Sequence, residues 1–234
     1  MYSGTRGVAA ALRIQEPLGC IDGSHIVHAS TGVELHNSPL ERLGVHGLFD
    51  ELERHGPAAF VFASDRVYFD AEGSHYLPYV STWSDQTHQL SSALDRDHWD
   101  ETRPISALIA LGHREQIENV HQFICANHPE RFQSAHFPIQ RESFDGVWGL
   151  IVRAARVNKG TALEWLATHY GITPEEMVTI GDWFNDVPML QRAGCSFAMA
   201  QAPAEVKAAA KVVLDTDIWR GGGLMEAAER AGLL

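Results

Sequence analysis

The sequence predicts an α/β protein with a distinct α+β module in its middle, and three observations carry that expectation. Apolar strand-like and amphipathic helix-like segments alternate through the last third of the chain, the pattern of a parallel α/β sheet. Between residues 39 and 150 the order is strands, helix, strands, which suits a mainly antiparallel sheet with helices on it. A chain of 234 residues with 45% apolar and 21% charged residues is long and apolar enough to bury a sizeable core.

The elements follow in order. Ser3 to Gly7 reads as a small polar loop, followed by a helix with Val8, Ala11 and Leu12 on one face and ended by Pro17. Leu18 to Ile21 reads as a short buried strand, Asp22-Gly23 as a turn, and Ile26 to Leu35 as a hairpin turning near Ser30-Thr31-Gly32. Leu43, Leu48 and Leu52 mark a helix that ends near Gly56-Pro57. Ala59–Phe62 and Val67–Phe69 form a strand pair across Ser64-Asp65-Arg66. Residues 71–103 are polar, rich in tryptophan and histidine and without clear period, so loops and one short helix are expected.

Ile105–Leu111 is a strand and His113–Asn127 a helix, with Ile117, Val120, His121 and Ile124 along one face. Phe132–Ile139 and Val147–Val152 are two further strands. Asn158-Lys159-Gly160 then opens a helix carrying Leu163, Leu166, Ala167 and Tyr170, with Gly171 as its left-handed stop. Thr173-Pro174-Glu175-Glu176 has the form of a capping box with proline at the first helical position. A strand at Val178–Ile180, a helix through Ala193, a strand at Ser196–Met199, a short helix from Pro203 to Ala210, a strand at Val212–Leu214 and a terminal helix after Gly221-Gly222-Gly223 complete the pattern.

The chemistry concentrates at Gly181-Asp182-Trp183-Phe184-Asn185-Asp186. A parallel sheet presents ligands outside the carboxyl ends of its strands, where Asp182 is expected. Two carboxylates four residues apart, with Asn185 between them, suit a hard cation such as Mg²⁺, which takes oxygen ligands. The same residue types also suit a capped helix start on a solvated loop. Lys159 lies where the middle module hands back to the parallel part, and an ammonium there can face both Asp182 and an incoming anion. The Ser3–Gly7 loop can offer a hydroxyl and backbone N–H groups to the same anion, or be a frayed terminus. A metal, a lysine and a hydroxyl converging on one anion describe phosphoryl transfer.

Composition narrows the partners. A net charge of −12 argues against nucleic acid or an anionic membrane held by bulk electrostatics, while leaving room for a small anionic substrate bound through a cation. The three cysteines, Cys20, Cys125 and Cys195, are scattered and show neither disulfide nor zinc spacing, which points to a reducing cytoplasm. No apolar run reaches membrane-spanning length, and Met1-Tyr2-Ser3-Gly4 lacks the features of a signal peptide. His25, His28 and His36 fall in the strand pair and read as structural.

Lys159-Gly160-Thr161-Ala162-Leu163, Gly171-Ile172, Gly181-Asp182-Trp183-Phe184-Asn185-Asp186-Val187-Pro188-Met189-Leu190, Ala193-Gly194 and Ala198-Met199 together closely resemble the haloacid dehalogenase-like hydrolases of the Cof type. The resemblance implies a Mg²⁺-dependent phosphatase with a Rossmann-like parallel-sheet core and an inserted α+β cap. It places the cap at 39–150 and the two parts of the core at 1–38 and 151–234. Ser3-Gly4-Thr5-Arg6 looks like the family's Thr-Gly-Arg loop, and Ile21-Asp22-Gly23-Ser24 like the Asn-Gly turn after it. By resemblance Lys159 steadies the phosphate and the nucleophile, and Asp182 binds Mg²⁺. Asn185 and Asp186 orient the lysine, the metal waters or the phosphate, Asp186 being a candidate second metal ligand. Ser3 or Thr5 supplies the phosphate-binding hydroxyl, with Asp22 and Gly23 lining the substrate site.

The chain departs from the family at its start. The family's first motif, Asp-x-Asp-Gly-Thr/Ser, carries the nucleophilic and acid/base aspartates, and lies one strand-helix-strand unit before the Thr-Gly-Arg loop. Such a unit needs about 30 residues, and only Met1 and Tyr2 precede Ser3. One expectation is a truncated start that leaves the metal and phosphate half-site with little catalysis. The other is a degenerate first motif at Cys20-Ile21-Asp22-Gly23-Ser24, with Cys20 in the nucleophile's place, Asp22 as acid/base and Ser64 as the phosphate-binding hydroxyl. The expected substrate is a small phosphorylated metabolite. A sugar-phosphate mutase and a non-catalytic phosphate-ligand binding protein stand as alternatives.

Overall fold

In the computed structural model, which describes residues 1–99 and 103–234, the chain begins as a helix where the sequence predicts a loop. This helix, α1, spans Tyr2–Ala11. Two tertiary features explain the difference. The Asp65 carboxylate accepts the Ser3 N–H at 3.1 and 3.0 Å, satisfying a helix-start donor from a distant part of the chain. Gly4 is required by close packing: a Cβ there would lie 2.3 Å from the Trp83 carbonyl oxygen. Gly4, which reads as part of a loop, is small because a neighbour presses on the helix there.

The described residues divide into two units, Met1–Val157 and Asn158–Leu234. In the first, β1 (Pro17–Cys20), β2 (His25–His28) and β3 (Glu34–Asn37) form an antiparallel three-stranded sheet. Then come α2 (Arg42–His55), β4 (Ala58–Ala63), β5 (Arg66–Phe69), α3 (Leu77–Val80), β6 (Thr87–Gln89), β7 (Ile105–His113), α4 (Arg114–Asn127), β8 (Phe132–Pro138) and β9 (Val147–Ala154). Their strands make a six-stranded sheet in the order β6-β5-β4-β7-β9-β8. It is antiparallel except for the β5–β6 pair, as the sequence predicts for this module.

The central strands β4 and β7 are buried on both faces. Val61, Leu108 and Ala110 join Leu48, Leu52, Ile117 and Ile124 of α2 and α4 on one side, while Phe60, Phe62 and Ile109 face a second core with Val80 and Phe144. Helix α2 stops at Gly56, whose left-handed φ of +69° a glycine adopts without the cost that a Cβ brings. Within 71–103 the structure places a 3₁₀ turn, the short helix α3 and strand β6; residues 100–102 of that span lie outside the described residues. The aromatic residues there lack periodicity because they pack as a cluster. The Trp99 ring stands edge-on to Tyr68 with centroids 5.0 Å apart, and its Nε1–H donates to the Ala93 carbonyl at 2.8 Å.

The second unit alternates as predicted: α5 (Lys159–Tyr170), β10 (Val178–Gly181), α6 (Val187–Arg192), β11 (Cys195–Ala198), α7 (Ala204–Ala209), β12 (Val212–Val213) and α8 (Gly223–Arg230). The sheet is parallel, in the order β10-β11-β12. The Thr173 capping box opens only a 3₁₀ turn, Pro174–Glu176. The chain must enter β10 directly after it, and the turn is pinned by the Gly194 N–H on the Pro174 carbonyl at 3.0 Å.

Candidate active site

The site is built where β10 ends. Gly181 closes the strand, and a Cβ there would lie 2.5 Å from the Asp186 Cβ, so glycine is what lets Asp186 fold back beneath the strand end. Asp186 is 3% exposed. One of its carboxylate oxygens accepts the N–H groups of Asp182 and Trp183 at 2.9 and 3.0 Å. The other accepts from the Lys159 ammonium. Lys159 is the first residue of α5, and its place depends on two neighbours. The Asn158 side chain caps the helix through the N–H groups of Gly160 and Thr161 at 2.9 and 3.1 Å. Gly160 lets α5 approach α6 closely, since a Cβ there would lie 2.8 Å from the Pro188 carbonyl oxygen.

Asp182 is different. It is half-buried, and Gln201 Nε2 donates to its Oδ2 at 3.3 Å. Among the described residues no cation is paired with it. The Lys159–Asp186 pair is electrically balanced, so Asp182 leaves the turn with a net negative charge directed at the strand's carboxyl end. That donor suits Mg²⁺, which is commonly held by one or two carboxylates with water and phosphate oxygens completing its shell. No three carboxylate, imidazole or thiol groups form a ready-made metal cluster among the described residues. Asp182 is therefore the group that could hold the ion, while both oxygens of Asp186 are engaged with donors of the chain. Asn185 lies half-buried in the same turn.

The remaining predicted residues belong to the first unit. Ser3 is buried in α1, its hydroxyl 2.7 Å from Ser84 Oγ and 3.2 Å from the Asp65 carboxylate. The Thr5 hydroxyl donates back to the carbonyls of Met1 and Tyr2 at 3.1 and 3.2 Å. The loop of hydroxyls and free N–H groups expected over Ser3–Gly7 is thus replaced by a helix whose hydroxyls are internally used. Asp22 sits in a tight turn with a left-handed φ of +52°, its carboxylate paired with the guanidinium of Arg153, a residue 4% exposed on β9. Gly23 is buried with φ +102°, a conformation that favours glycine. Cys20 is 3% exposed, and burial pushes its thiol above the ordinary range, away from the thiolate a nucleophile needs. Ser64 is exposed on the β4–β5 turn.

Two residues escaped sequence reasoning. Gln201 touches Asp182 from 19 positions away, and the buried Arg153 meets Asp22 from 131 away. Neither lies in a motif. The one hint of Arg153 was a charge in an otherwise apolar strand run, Val147-Trp148-Gly149-Leu150-Ile151-Val152.

The sequence matches the profile of the haloacid dehalogenase-like hydrolases over residues 1–221. A phosphoglycolate phosphatase of Methanosarcina acetivorans is 36% identical over 92 residues, 39% of this chain and 40% of the relative. One of Natronomonas pharaonis is 40% identical over 80 residues, 34% of either chain. The chain therefore spans two fifths or less of the length of these curated relatives. A haloacid dehalogenase-like hydrolase from Bacteroides thetaiotaomicron has the same fold, with a TM-score of 0.80 at 20% identity, covering 99% of this chain and 83% of that one. The fold is accordingly α/β, a Rossmann-like core with a cap. Haloacid dehalogenase-like hydrolases generally use Mg²⁺. The match across nearly all of its length shows that the chain belongs to the haloacid dehalogenase-like hydrolases.

Proposed function

We propose that the protein is a Mg²⁺-dependent phosphomonoester hydrolase acting on a small phosphorylated metabolite. The observation that carries this reading is the division of labour at the end of β10: Asp186 is neutralised by Lys159, and Asp182 keeps its charge. Asp182 would hold Mg²⁺, and the bound ion would offset charge on the transferring phosphoryl group. The chain's own residues do the rest. Asp186 fixes the backbone of the 182–183 turn and the ammonium of Lys159, so that Lys159 meets an incoming phosphate oxygen with its remaining N–H donors. Asn185, in the same turn, would help orient the metal waters or the phosphate. Ser3, Thr5 and Asp22 keep structural roles in this reading, because their polar groups are engaged within their own unit, and Gly23 is there for its positive φ.

Two of the relatives are named phosphoglycolate phosphatases, which favours a small metabolite over a macromolecular phosphate. In this reading the cap is 39–150 and the core 1–38 and 151–234; the six-stranded sheet and two long helices support a separate middle module, with β9 of that sheet running on to Ala154. A cytoplasmic location accords with three free cysteines and with the finding that no described helix is long and apolar enough to cross a membrane.

The test combines binding with turnover. Calorimetry should show Mg²⁺ and inorganic phosphate binding cooperatively, Mg²⁺ being lost in Asp182→Asn and phosphate weakened in Lys159→Met. Hydrolysis of p-nitrophenyl phosphate by this chain should be weak, since no nucleophile is identified in it, and what turnover there is should require Mg²⁺ and vanish in Asp182→Asn. Metal and phosphate binding untouched by either substitution overturns the proposal. Binding without phosphate release assigns a non-catalytic phosphate-binding role instead. That outcome has one structural point in its favour, the commitment of Asp22 to Arg153.

A further inference from the structure

We propose that Gln201 is a positioning residue: it orients the Asp182 carboxylate and ties it to the turn that carries Ile218 and Trp219. The proposal rests on the reading of Asp182 as the metal-binding group. Gln201 makes two hydrogen bonds with its side-chain amide. Its Nε2 donates to Asp182 Oδ2 at 3.3 Å, and its Oε1 accepts the Ile218 backbone N–H at 3.1 Å. The chemistry of the two partners forces this orientation. A backbone N–H can only donate and a carboxylate can only accept, so a glutamine between them has one arrangement that satisfies both ends. Neither glutamate nor leucine does so.

The backbone that carries Gln201 is fixed as well. The turn at 199–202 is clamped on both sides. The Met199 N–H donates to the Gly181 carbonyl at the end of β10 (3.0 Å), the Ala200 N–H to the Thr216 carbonyl (3.2 Å), and the turn closes through Ala202 N–H on Met199 (3.0 Å). The partner segment is anchored in turn by Glu226 of α8, whose carboxylate accepts the N–H groups of Asp215 and Thr216 at 2.9 Å each. Asp182 thus has its backbone fixed by Asp186 and its carboxylate fixed by Gln201. A carboxylate held by a hydrogen bond at one oxygen presents the other at a defined angle, which is how outer residues tune a metal ligand. The same amide carries the state of Asp182 to the Asp217–Arg220 turn, where Trp219 is 87% exposed.

The test uses the 234-residue chain, Gln201→Leu and Gln201→Glu, and reads two signals. In metal-free protein at neutral pH, the amide signals of Asp182 and Ile218 are compared across the three proteins. Gln201→Leu removes both hydrogen bonds, so both amides should shift. Gln201→Glu keeps an acceptor for the Ile218 N–H but sets a second carboxylate against Asp182, so it should move Asp182 and leave Ile218 close to wild type. In the second arm Mg²⁺ is titrated and the amide signals of Asp182 and Ile218 are followed. Wild type should show both amides moving with one Kd. Gln201→Leu should lose the Ile218 response and weaken Mg²⁺ about tenfold, with an unchanged thermal melt because the side chain is exposed.

Asp182 and Ile218 amide signals identical in wild type and both variants overturn the proposal whether or not metal binds. Wild-type Mg²⁺ affinity in Gln201→Leu overturns the positioning role. Mg²⁺ affinity that survives Asp182→Asn overturns the metal reading of Asp182 instead, and the metal-free amide signals still report on the Gln201 contact independently.

Discussion

Asp186 and Lys159 form an ion pair, but the two partners are not equivalent. Asp186 is almost wholly buried and accepts two backbone N–H groups besides the ammonium, whereas the Lys159 side chain is 34% exposed. Removing the carboxylate strands three donors at once; removing the lysine leaves a carboxylate that still has two. Asp186→Ala is therefore expected to cost about 3 kcal/mol of stability, from stranded donors at about 1–3 kcal/mol each, and Lys159→Met less, because the buried carboxylate it leaves keeps two N–H donors. Urea unfolding of both variants checks the order, and a Lys159→Met protein as unstable as Asp186→Ala would show that the ammonium, not the backbone bonds, holds the turn.

Cys20 makes a second prediction at this scale. Burial raises its thiol and hides it, while Cys125 is exposed, so an aromatic disulfide reagent should label Cys125 in the native protein and reach Cys20 only on unfolding. Fast native labelling of Cys20 would revive it as a nucleophile.

Between elements, the decisive contact is the close approach of α5 to α6. Gly160 on α5 faces the Pro188 carbonyl of α6 and the guanidinium of Arg192, which itself donates to the Pro188 carbonyl at 2.8 Å and pairs with Glu164 of α5 at 2.6 Å. Arg192 is a flexible side chain that can move, but the Pro188 carbonyl is backbone and cannot move without its helix. Gly160→Ala should thus push the helices apart, costing about 2 kcal/mol as an overpacking change. Because Lys159 is the adjacent residue, it should also weaken phosphate binding. Denaturation midpoints and phosphate calorimetry test the two effects together. A Gly160→Ala protein of wild-type stability, or one more stable as expected for an exposed helical position, would show that the contact is not close.

For the whole molecule, the relevant charges are histidines. Burial pushes the imidazole of His25 below its ordinary value, with Glu34 acting the other way. Burial and then the neighbouring His136 lower His121 as well. When folded pKa values lie below unfolded ones, the unfolded chain binds more protons between them, so stability increases with pH in that interval. The histidine contribution is accordingly complete above about pH 6.5 and is lost as pH falls through that value towards the lowered folded pKa values. Urea midpoints at pH 5.5 and 7.5 should differ in that direction, and His25→Gln should reduce the difference. An unchanged difference in His25→Gln removes His25 as a contributor.

Much of this protein was legible in its residues taken in order. The αL stops at Gly56 and Gly171, the Asn158 cap, the apolar strands β4 and β7 and the alternation after Asn158 are local matters, governed by backbone sterics and hydrophobic period. The Asp182–Asp186 motif was legible for the same reason, since a strand end followed by a helix start needs those residues close together in sequence; Lys159, 27 positions before Asp186, was legible through its place after the middle module and the family resemblance. What only the tertiary structure decided depends on distant partners. Ser3–Gly7 became helix because Asp65 satisfies it and the Trp83 carbonyl packs against Gly4. Asp22 was claimed by Arg153, and Asp182 acquired Gln201. A sequence displays which groups can donate and accept. Only the folded chain settles which of them already have a partner, because that depends on contacts between residues far apart in the chain.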